Sequence, residues 1–309
     1  MIYDAAVIGA GPAGITAALY LVRSGVSTAL VEDGAAGGQI LSTAEIENYP
    51  GFPKGIKGWE LADLFEAHLS PYPVERIRAR IARAEAGAPG KPALLHADDG
   101  SVLQAKAVIA CTGARHRELG VPGEREFAGR GVSYCAVCDG NFYRGMDVAV
   151  VGGGNSALEE SLYLARIVRK VYLIHRREAF RGDRIYQDKV RSTENIELVT
   201  SCVVEKIAGQ SAVETVAVGD VRTGGGRTIP VSGVFLYVGM QPSSGWLPAD
   251  AVLDAGGFVQ TDAEMRTDVP GFFAAGDIRA KHCRQVSSAV GDGAAAATSA
   301  LSYLEQWHA

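Results

Sequence analysis

The hydrophobic and polar positions of this chain run through the same motif twice. Residues 5–8 are an unbroken apolar run, followed by Gly9-Ala10-Gly11-Pro12-Ala13-Gly14 and then by helical periodicity over 15–24. A second strand pattern, 27–31, stops at Glu32. Much later, 148–151 is again apolar and is followed by Gly152-Gly153-Gly154-Asn155-Ser156-Ala157. A helical pattern through 168 and a run at 171–174 that stops at His175 complete the copy. The offset from Gly9 to Glu32 equals that from Gly152 to His175, so the two stretches are in register. Strand, glycine turn, helix and strand in this order predict two Rossmann-type units.

β-prone segments follow each copy. Residues 94–96 and 102–104 flank Asp98-Asp99-Gly100, a hairpin signal, and 213–218 with the glycines at 224–226 play that part in the second copy. Further apolar runs end in glycine at 108–113, 234–239 and 272–276. The last has nothing to join except the sheet of the first copy. The expected fold is therefore α/β, with two Rossmann-like three-layer nucleotide-binding domains and the second inserted in the first. The boundaries expected are 1–115 with 244–309 for the outer domain and 116–243 for the inserted one, with crossings near 114–118 and 241–246.

A length of 309 residues suits two domains that each bury a core. The net charge of −5, with no basic tract, argues against a nucleic-acid partner. No apolar stretch is long enough to span a bilayer, and the amino terminus enters a strand without a basic leader, so neither membrane insertion nor secretion is expected. Five cysteines, only two of them close together, do not form a secreted disulfide framework, which points to a reducing cytoplasm. Cys111, Cys202 and Cys283 are read as buried small hydrophobes, and Trp59, Trp246 and Trp307 as packing residues.

The first turn reads as a FAD site. Gly9 makes the tight turn, Gly11 lets the backbone approach a pyrophosphate and Gly14 lets helix and strand pack closely. Glu32 lies where a carboxylate accepts hydrogen bonds from an adenosine ribose, and Asp277 ends a strand within reach of a ribityl chain. Arg284 and Gln285 stand at the head of an alanine-rich helix whose positive end suits reduced flavin. The second turn reads as an NADPH site. Gly152, Gly154 and Ala157 repeat the turn, but His175-Arg176-Arg177 replaces the acid, with Arg181 close behind. An acid there repels a 2′-phosphate, whereas arginine forks two hydrogen bonds onto it.

Cys135-Ala136-Val137-Cys138-Asp139 carries the remaining chemistry. As half a zinc site it lacks a second pair or suitably spaced histidines, so no metal is expected. Inert core cysteines are a weaker alternative, because Gly131, Asp139, Gly140 and Asn141 suggest an exposed turn. A redox dithiol is the preferred reading. Asp139 then protonates a departing thiolate or reduced flavin nitrogen, or else caps the helix that follows.

With these residues the chain resembles the bacterial low-molecular-weight thioredoxin reductases, of the class-II pyridine nucleotide-disulfide oxidoreductase family. The matching motifs are Gly-x-Gly-Pro-Ala-Gly at 9–14, Gly-Gly-Gln at 37–39 and Glu-Asn-Tyr-Pro-Gly at 47–51. They continue with Cys-Ala-Val-Cys-Asp-Gly at 135–140, Gly-Gly-Gly-Asn-Ser-Ala-Leu-Glu-Glu at 152–160 and His-Arg-Arg at 175–177. Phe-Ala-Ala-Gly-Asp at 273–277 and Arg-Gln at 284–285 complete the set, in the family's order and over nearly the whole chain. The resemblance implies a homodimer with FAD held by Gly9, Gly11, Gly14, Glu32, Gln39, Asn48, Asp277, Arg284 and Gln285. Pro12, Ala13, Gly38, Thr112 and Gly113 are added to that set, and Asn155 and Ser156 to the NADPH set.

The resemblance also implies that Cys138 faces the isoalloxazine and that Asp139 supplies protons. Electrons are expected to pass from NADPH through FAD to the Cys135–Cys138 disulfide and then, through a mixed disulfide, to thioredoxin or a thioredoxin-like protein. Dithiol and nicotinamide must both reach one flavin, which suggests rotation of 116–243 about the two crossings. Arg130, Phe142 and Tyr143 are candidate partner contacts. The family often has threonine at the position of Val137, an aromatic at Asn141 and a smaller residue at Tyr134, so this docking surface departs from the pattern. A flavin-dependent dithiol oxidase and a ferredoxin-driven enzyme have no use for the arginines at 176 and 177, and a non-catalytic NADP(H) sensor has none for the cysteine pair. A peroxiredoxin partner remains an alternative acceptor.

Overall fold

The computed structural model describes residues 1–43, 45–88 and 90–307. The chain forms two compact units, Met1–Arg115 with Gln241–Ala309, and His116–Met240. The second crossing thus falls at 240/241, three residues before the expected 243/244 boundary, inside a strand rather than after it.

In the first unit the chain lays down β1 (Ile2–Ile8), α1 (Pro12–Arg23), β2 (Thr28–Glu32), α2 (Gly58–Leu69), β3 (Glu75–Arg78), β4 (Ile81–Glu85), β5 (Ala93–Ala97) and β6 (Val102–Ala110). It leaves through β7 (Ala114–His116). The inserted unit follows with β8 (Val132–Ser133), α3 (Ala136–Asp139), β9 (Asp147–Gly152), α4 (Asn155–Leu164), β10 (Lys170–His175), α5 (Arg184–Ser192) and β11 (Ile196–Thr200). It closes with β12 (Cys202–Gly209), β13 (Val213–Asp220), β14 (Gly226–Pro230) and β15 (Gly233–Tyr237). β16 (Met240–Pro242) pairs with β7, and β17 (Phe272–Ala274) and α6 (Val286–Trp307) return to the first unit.

The first unit is built on a sheet of order β3-β2-β1-β6-β5-β4. β6 is long enough to be shared along one edge: its first half pairs antiparallel with β5, and its last residues pair parallel with β17. The run at 272–276 therefore completes the first sheet, as the sequence pattern required. One face buries α1 and α6 around Val7, Ile109 and Leu21. The other covers Leu95, Val108 and Phe272 with Trp246 and Val259. A fully buried side chain of this size contributes about 1.5–3 kcal/mol.

The inserted unit has a parallel sheet of order β11-β10-β9-β15-β8. The α3, α4 and α5 helices pack on one face around Leu158, Leu164 and Phe235, and the antiparallel β12-β13-β14 sheet packs on the other around Val216 and Ile207. Each unit is thus three layers deep. Two helix ends move from their expected positions. α1 starts at Pro12, whose fixed φ suits the first helical position, and α4 stops at Leu164.

Candidate active site

In the first unit the Gly9 turn is fixed by packing. A Cβ on Gly14 would lie 1.8 Å from the Gly9 carbonyl oxygen, whereas one on Gly11 would meet nothing within 4 Å. Strand and helix therefore touch at Gly14, and the backbone at Gly11 faces open space. Glu32, at the end of β2, accepts the Ala10 N–H at 2.8 Å and the Gly34 N–H at 3.0 Å, which orients its carboxylate at the mouth of the turn. Pro12 and Ala13 open α1, and Gly38 and Gln39 stand in the short turn after Gly37, whose N–H binds the Ala10 carbonyl at 2.8 Å. Gln39 Nε2 reaches the Ala114 carbonyl at 2.6 Å.

Residues far apart in sequence meet on this unit. Asn48 Nδ2 donates to Gln285 Oε1 at 3.1 Å. Thr112 Oγ1 donates to the Ser243 carbonyl at 2.7 Å and accepts Trp246 Nε1 at 3.2 Å, beside Gly113, whose carbonyl accepts the Ser243 N–H at 2.9 Å. Asp277 follows β17, and its Oδ1 is buried with no hydrogen-bond donor among the described residues. Burial first pushes its pKa up, opposed by Lys281 and Arg284. The Arg284 guanidinium lies over the Phe258 ring at 4.1 Å, with Nε buried and unpartnered.

The second turn is arranged differently from its sequence twin. The His175 ring is buried, stacked at 5.3 Å on Phe180, and a Cβ on Gly153 would lie 2.2 Å from its Cε1. The imidazole thus lies packed under the turn, with its Nε2 buried and lacking a hydrogen-bond partner among the described residues. Burial, helped by the nearby charges of Arg181, Arg176 and Arg177 and opposed by a backbone hydrogen bond at Ala179, sets its pKa below the usual value. Arg176, Arg177 and Arg181 are exposed, and none has an acidic partner among the described residues. The Arg181 and Gly182 N–H groups both bind the Gly153 carbonyl, at 2.7 and 3.1 Å, so this loop folds back on the turn. Asn155 is committed to Asp183: Nδ2 donates to Oδ2 at 3.0 Å and Oδ1 accepts the Asp183 N–H at 2.7 Å. Ser156 is exposed and Ala157 fully buried beside Gly152 and Gly154 at the head of α4.

The dithiol is closed. Cys135 and Cys138 form a disulfide of 2.11 Å across the four-residue α3, and the Cys138 N–H reaches Cys135 Sγ at 3.2 Å. Sequence reading missed Ser133, at the end of β8. Its hydroxyl donates to Asp139 Oδ2 at 2.6 Å and accepts the Cys135 N–H at 3.1 Å, joining acid and dithiol turn. A hydroxyl two residues before a Cys-x-x-Cys turn was the available signal. Tyr237 OH accepts the Ala136 N–H at 2.6 Å from the other side. Asp139 does not cap the turn that follows it, and Gly131 and Gly140 are buried, so the surroundings are firmer than an exposed loop.

A family model described as "Pyridine nucleotide-disulphide oxidoreductase" matches residues 3–293. The chain belongs to that family. It is 43% identical over 306 residues to a protein named thioredoxin reductase from Listeria innocua, covering 99% of this chain and 95% of that protein. Against the thioredoxin reductase of Bacillus subtilis it is 41% identical, with 99% and 96% covered. The crystal structure of thioredoxin reductase from Streptococcus pyogenes aligns with a TM-score of 0.93 at 44% identity over 99% of both chains. A thioredoxin reductase structure from Giardia duodenalis aligns with a TM-score of 0.92 at 31% identity over 98% of this chain and 99% of that one. This member of the pyridine nucleotide-disulphide oxidoreductases is a flavoprotein disulfide reductase, and its redox pair is Cys135–Cys138.

Two lesser expectations are corrected. Cys111 is buried, and burial with the Asp292 charge pushes its thiol pKa up, but Cys202 is only partly buried and Cys283 is exposed. Trp246 packs in the core, whereas Trp59 is half exposed on α2. Of the candidate partner contacts, Phe142 and Arg130 are exposed, Arg130 bonding to the Ser211 and Glu126 carbonyls, and Tyr143 is half-buried, edge-on against Phe235.

Proposed function

We propose that this chain is an NADPH-dependent thioredoxin-disulfide reductase whose flavin is FAD and whose acceptor is thioredoxin or a thioredoxin-like protein. In this reading the unit Met1–Arg115 with Gln241–Ala309 binds FAD and the unit His116–Met240 binds NADPH and carries the dithiol, in a cytoplasmic homodimer. Among the described residues no helix is long and apolar enough to cross a membrane.

The residues present fit a flavin dinucleotide. Backbone open at Gly11 and the head of α1 suit a pyrophosphate, Glu32 suits a ribose, and the unpartnered Asp277 Oδ1 suits a ribityl hydroxyl. Bound there, a flavin would supply the two-electron redox chemistry that links a nicotinamide donor to the Cys135–Cys138 disulfide. Asn48 and Gln285 position each other for the polar edge of that ring. Arg176, Arg177 and Arg181, free of acidic partners among the described residues, select the 2′-phosphate of NADPH. Asp139 holds the proton for a departing cysteine sulfur, and Ser133 Oγ keeps its Oδ2 next to the Cys135 backbone. Reduced, Cys135 Sγ keeps the Cys138 N–H as a donor that favours the thiolate, the form that attacks a partner disulfide.

The observation that carries the proposal is the Cys135–Cys138 disulfide with Asp139 hydrogen-bonded through Ser133 to the same turn. The test is anaerobic: NADPH is added to purified protein, flavin absorbance is followed, and thioredoxin is then added and its thiols counted. Flavin bleaching and thiol formation are expected with the native chain, and bleaching without thioredoxin thiols with Cys138→Ala. Bleaching in the native chain with no thioredoxin thiols would remove thioredoxin as the acceptor.

A further inference from the structure

One carboxylate outside the sequence motifs pins the loop that carries Asp277. Asp292 lies in the second turn of α6, an otherwise uncharged helix as far as Glu305. Its Oδ2 accepts the Gly276 N–H at 3.0 Å and Lys281 Nζ at 2.9 Å, and its Oδ1 accepts Arg279 Nη1 at 2.9 Å. Positions 276, 279 and 281 are thus held by a single group, with Asp277 between the first two. The tie is reinforced on both sides: Lys281 Nζ also donates to Ser288 Oγ at 3.2 Å, and Arg279 Nε donates to Thr261 Oγ1 at 2.8 Å. Arg284 Nη2 in turn donates to the Arg279 carbonyl at 3.3 Å.

The side chains of Arg279, Lys281 and Asp292 are each only 12% exposed. Taking charges out of water is costly, and such clusters contribute little net stability compared with apolar packing. What they supply is definition of position. Lys281 Nζ stands 3.9 Å from Asp277 Oδ1, too far to satisfy it. The loop therefore presents a buried carboxylate oxygen that is oriented but not hydrogen-bonded.

We propose that Asp292 is the positioning residue of the flavin site, holding the 276–281 loop so that Asp277 receives the ribityl hydroxyls without reordering. Binding to a preset acceptor avoids the entropy of ordering the loop on association. The proposal rests on the FAD reading above.

The test is FAD titration of apoprotein, prepared from the holoprotein, by flavin fluorescence. It compares the native chain, Asp292→Asn, Asp277→Ala and the double variant. Asp292→Asn is expected to weaken FAD binding about tenfold, ~1.4 kcal/mol. In its background Asp277→Ala should cost less than in the native chain, because an acceptor that is no longer held has less to lose. An unchanged Kd in Asp292→Asn, or strictly additive losses, overturns the proposal while native FAD binding leaves the cofactor reading standing. A native chain that binds no FAD overturns both. If Asp292→Asn does not fold, Lys281→Met in the same cycle with Asp277→Ala takes its place. That variant leaves Asp292 bound to Gly276 and Arg279, and a several-fold loss coupled to Asp277 is expected; no coupling overturns the proposal.

Discussion

Removing the two arginines that follow β10 separates phosphate recognition from everything else the inserted unit does. Arg176 and Arg177 are exposed and have no acidic partner among the described residues, so Arg176→Ala/Arg177→Ala should leave folding intact, within ~0.5 kcal/mol per site. A charge-assisted contact to a phosphate contributes about 1.5–3 kcal/mol when shielded, and nearer 1 kcal/mol in an exposed loop. Two such contacts amount to ~2–3 kcal/mol, or about 30- to 150-fold in selectivity. The measurement is kcat/KM for NADPH and for NADH with the same protein acceptor, together with Tm. The ratio should fall by that factor through NADPH alone, with NADH and Tm unchanged. A ratio that shifts less than threefold, or a parallel loss with both nucleotides, would refute the assignment of these arginines to the 2′-phosphate.

Other outcomes follow from packing and burial. Gly14→Ala should abolish stable folding of the first unit or its flavin retention, since its Cβ would lie 1.8 Å from the Gly9 carbonyl oxygen; soluble, flavin-loaded protein of native Tm would contradict this. Glu160 is half-buried on α4, and this desolvation, with the neighbouring Glu159 charge, raises its pKa from 4.5 to about 7. A raised carboxyl pKa makes the folded state bind the extra proton, so this contribution to stability is complete below about pH 4.5 and is lost as pH rises through about 7. Glu160→Gln should therefore gain Tm over the native chain at pH 8 but not at pH 4, and equal differences at both would contradict it. With the disulfide closed, one thiol, Cys283, should alkylate rapidly and Cys111 should stay protected until unfolding; peptide mapping of the label decides.

The Gly9 and Gly152 turns, the strands around them and the return of 272–274 to the first sheet were readable from the chain alone. Turn geometry, apolar periodicity and helix starts are set by neighbours within a few residues, so composition and order suffice. The Cys-x-x-Cys pair and the arginines at 176 and 177 were legible for the same reason. Folding decided which polar group meets which. His175 ends β10 in register with Glu32 of the first copy, yet its ring is packed under Gly153. Asn155 answers to Asp183, Ser133 to Asp139, and Asp292 to a loop eleven or more residues before it. Burial and hydrogen-bond pairing depend on distances between segments that only a closed core brings together, and no local pattern encodes them.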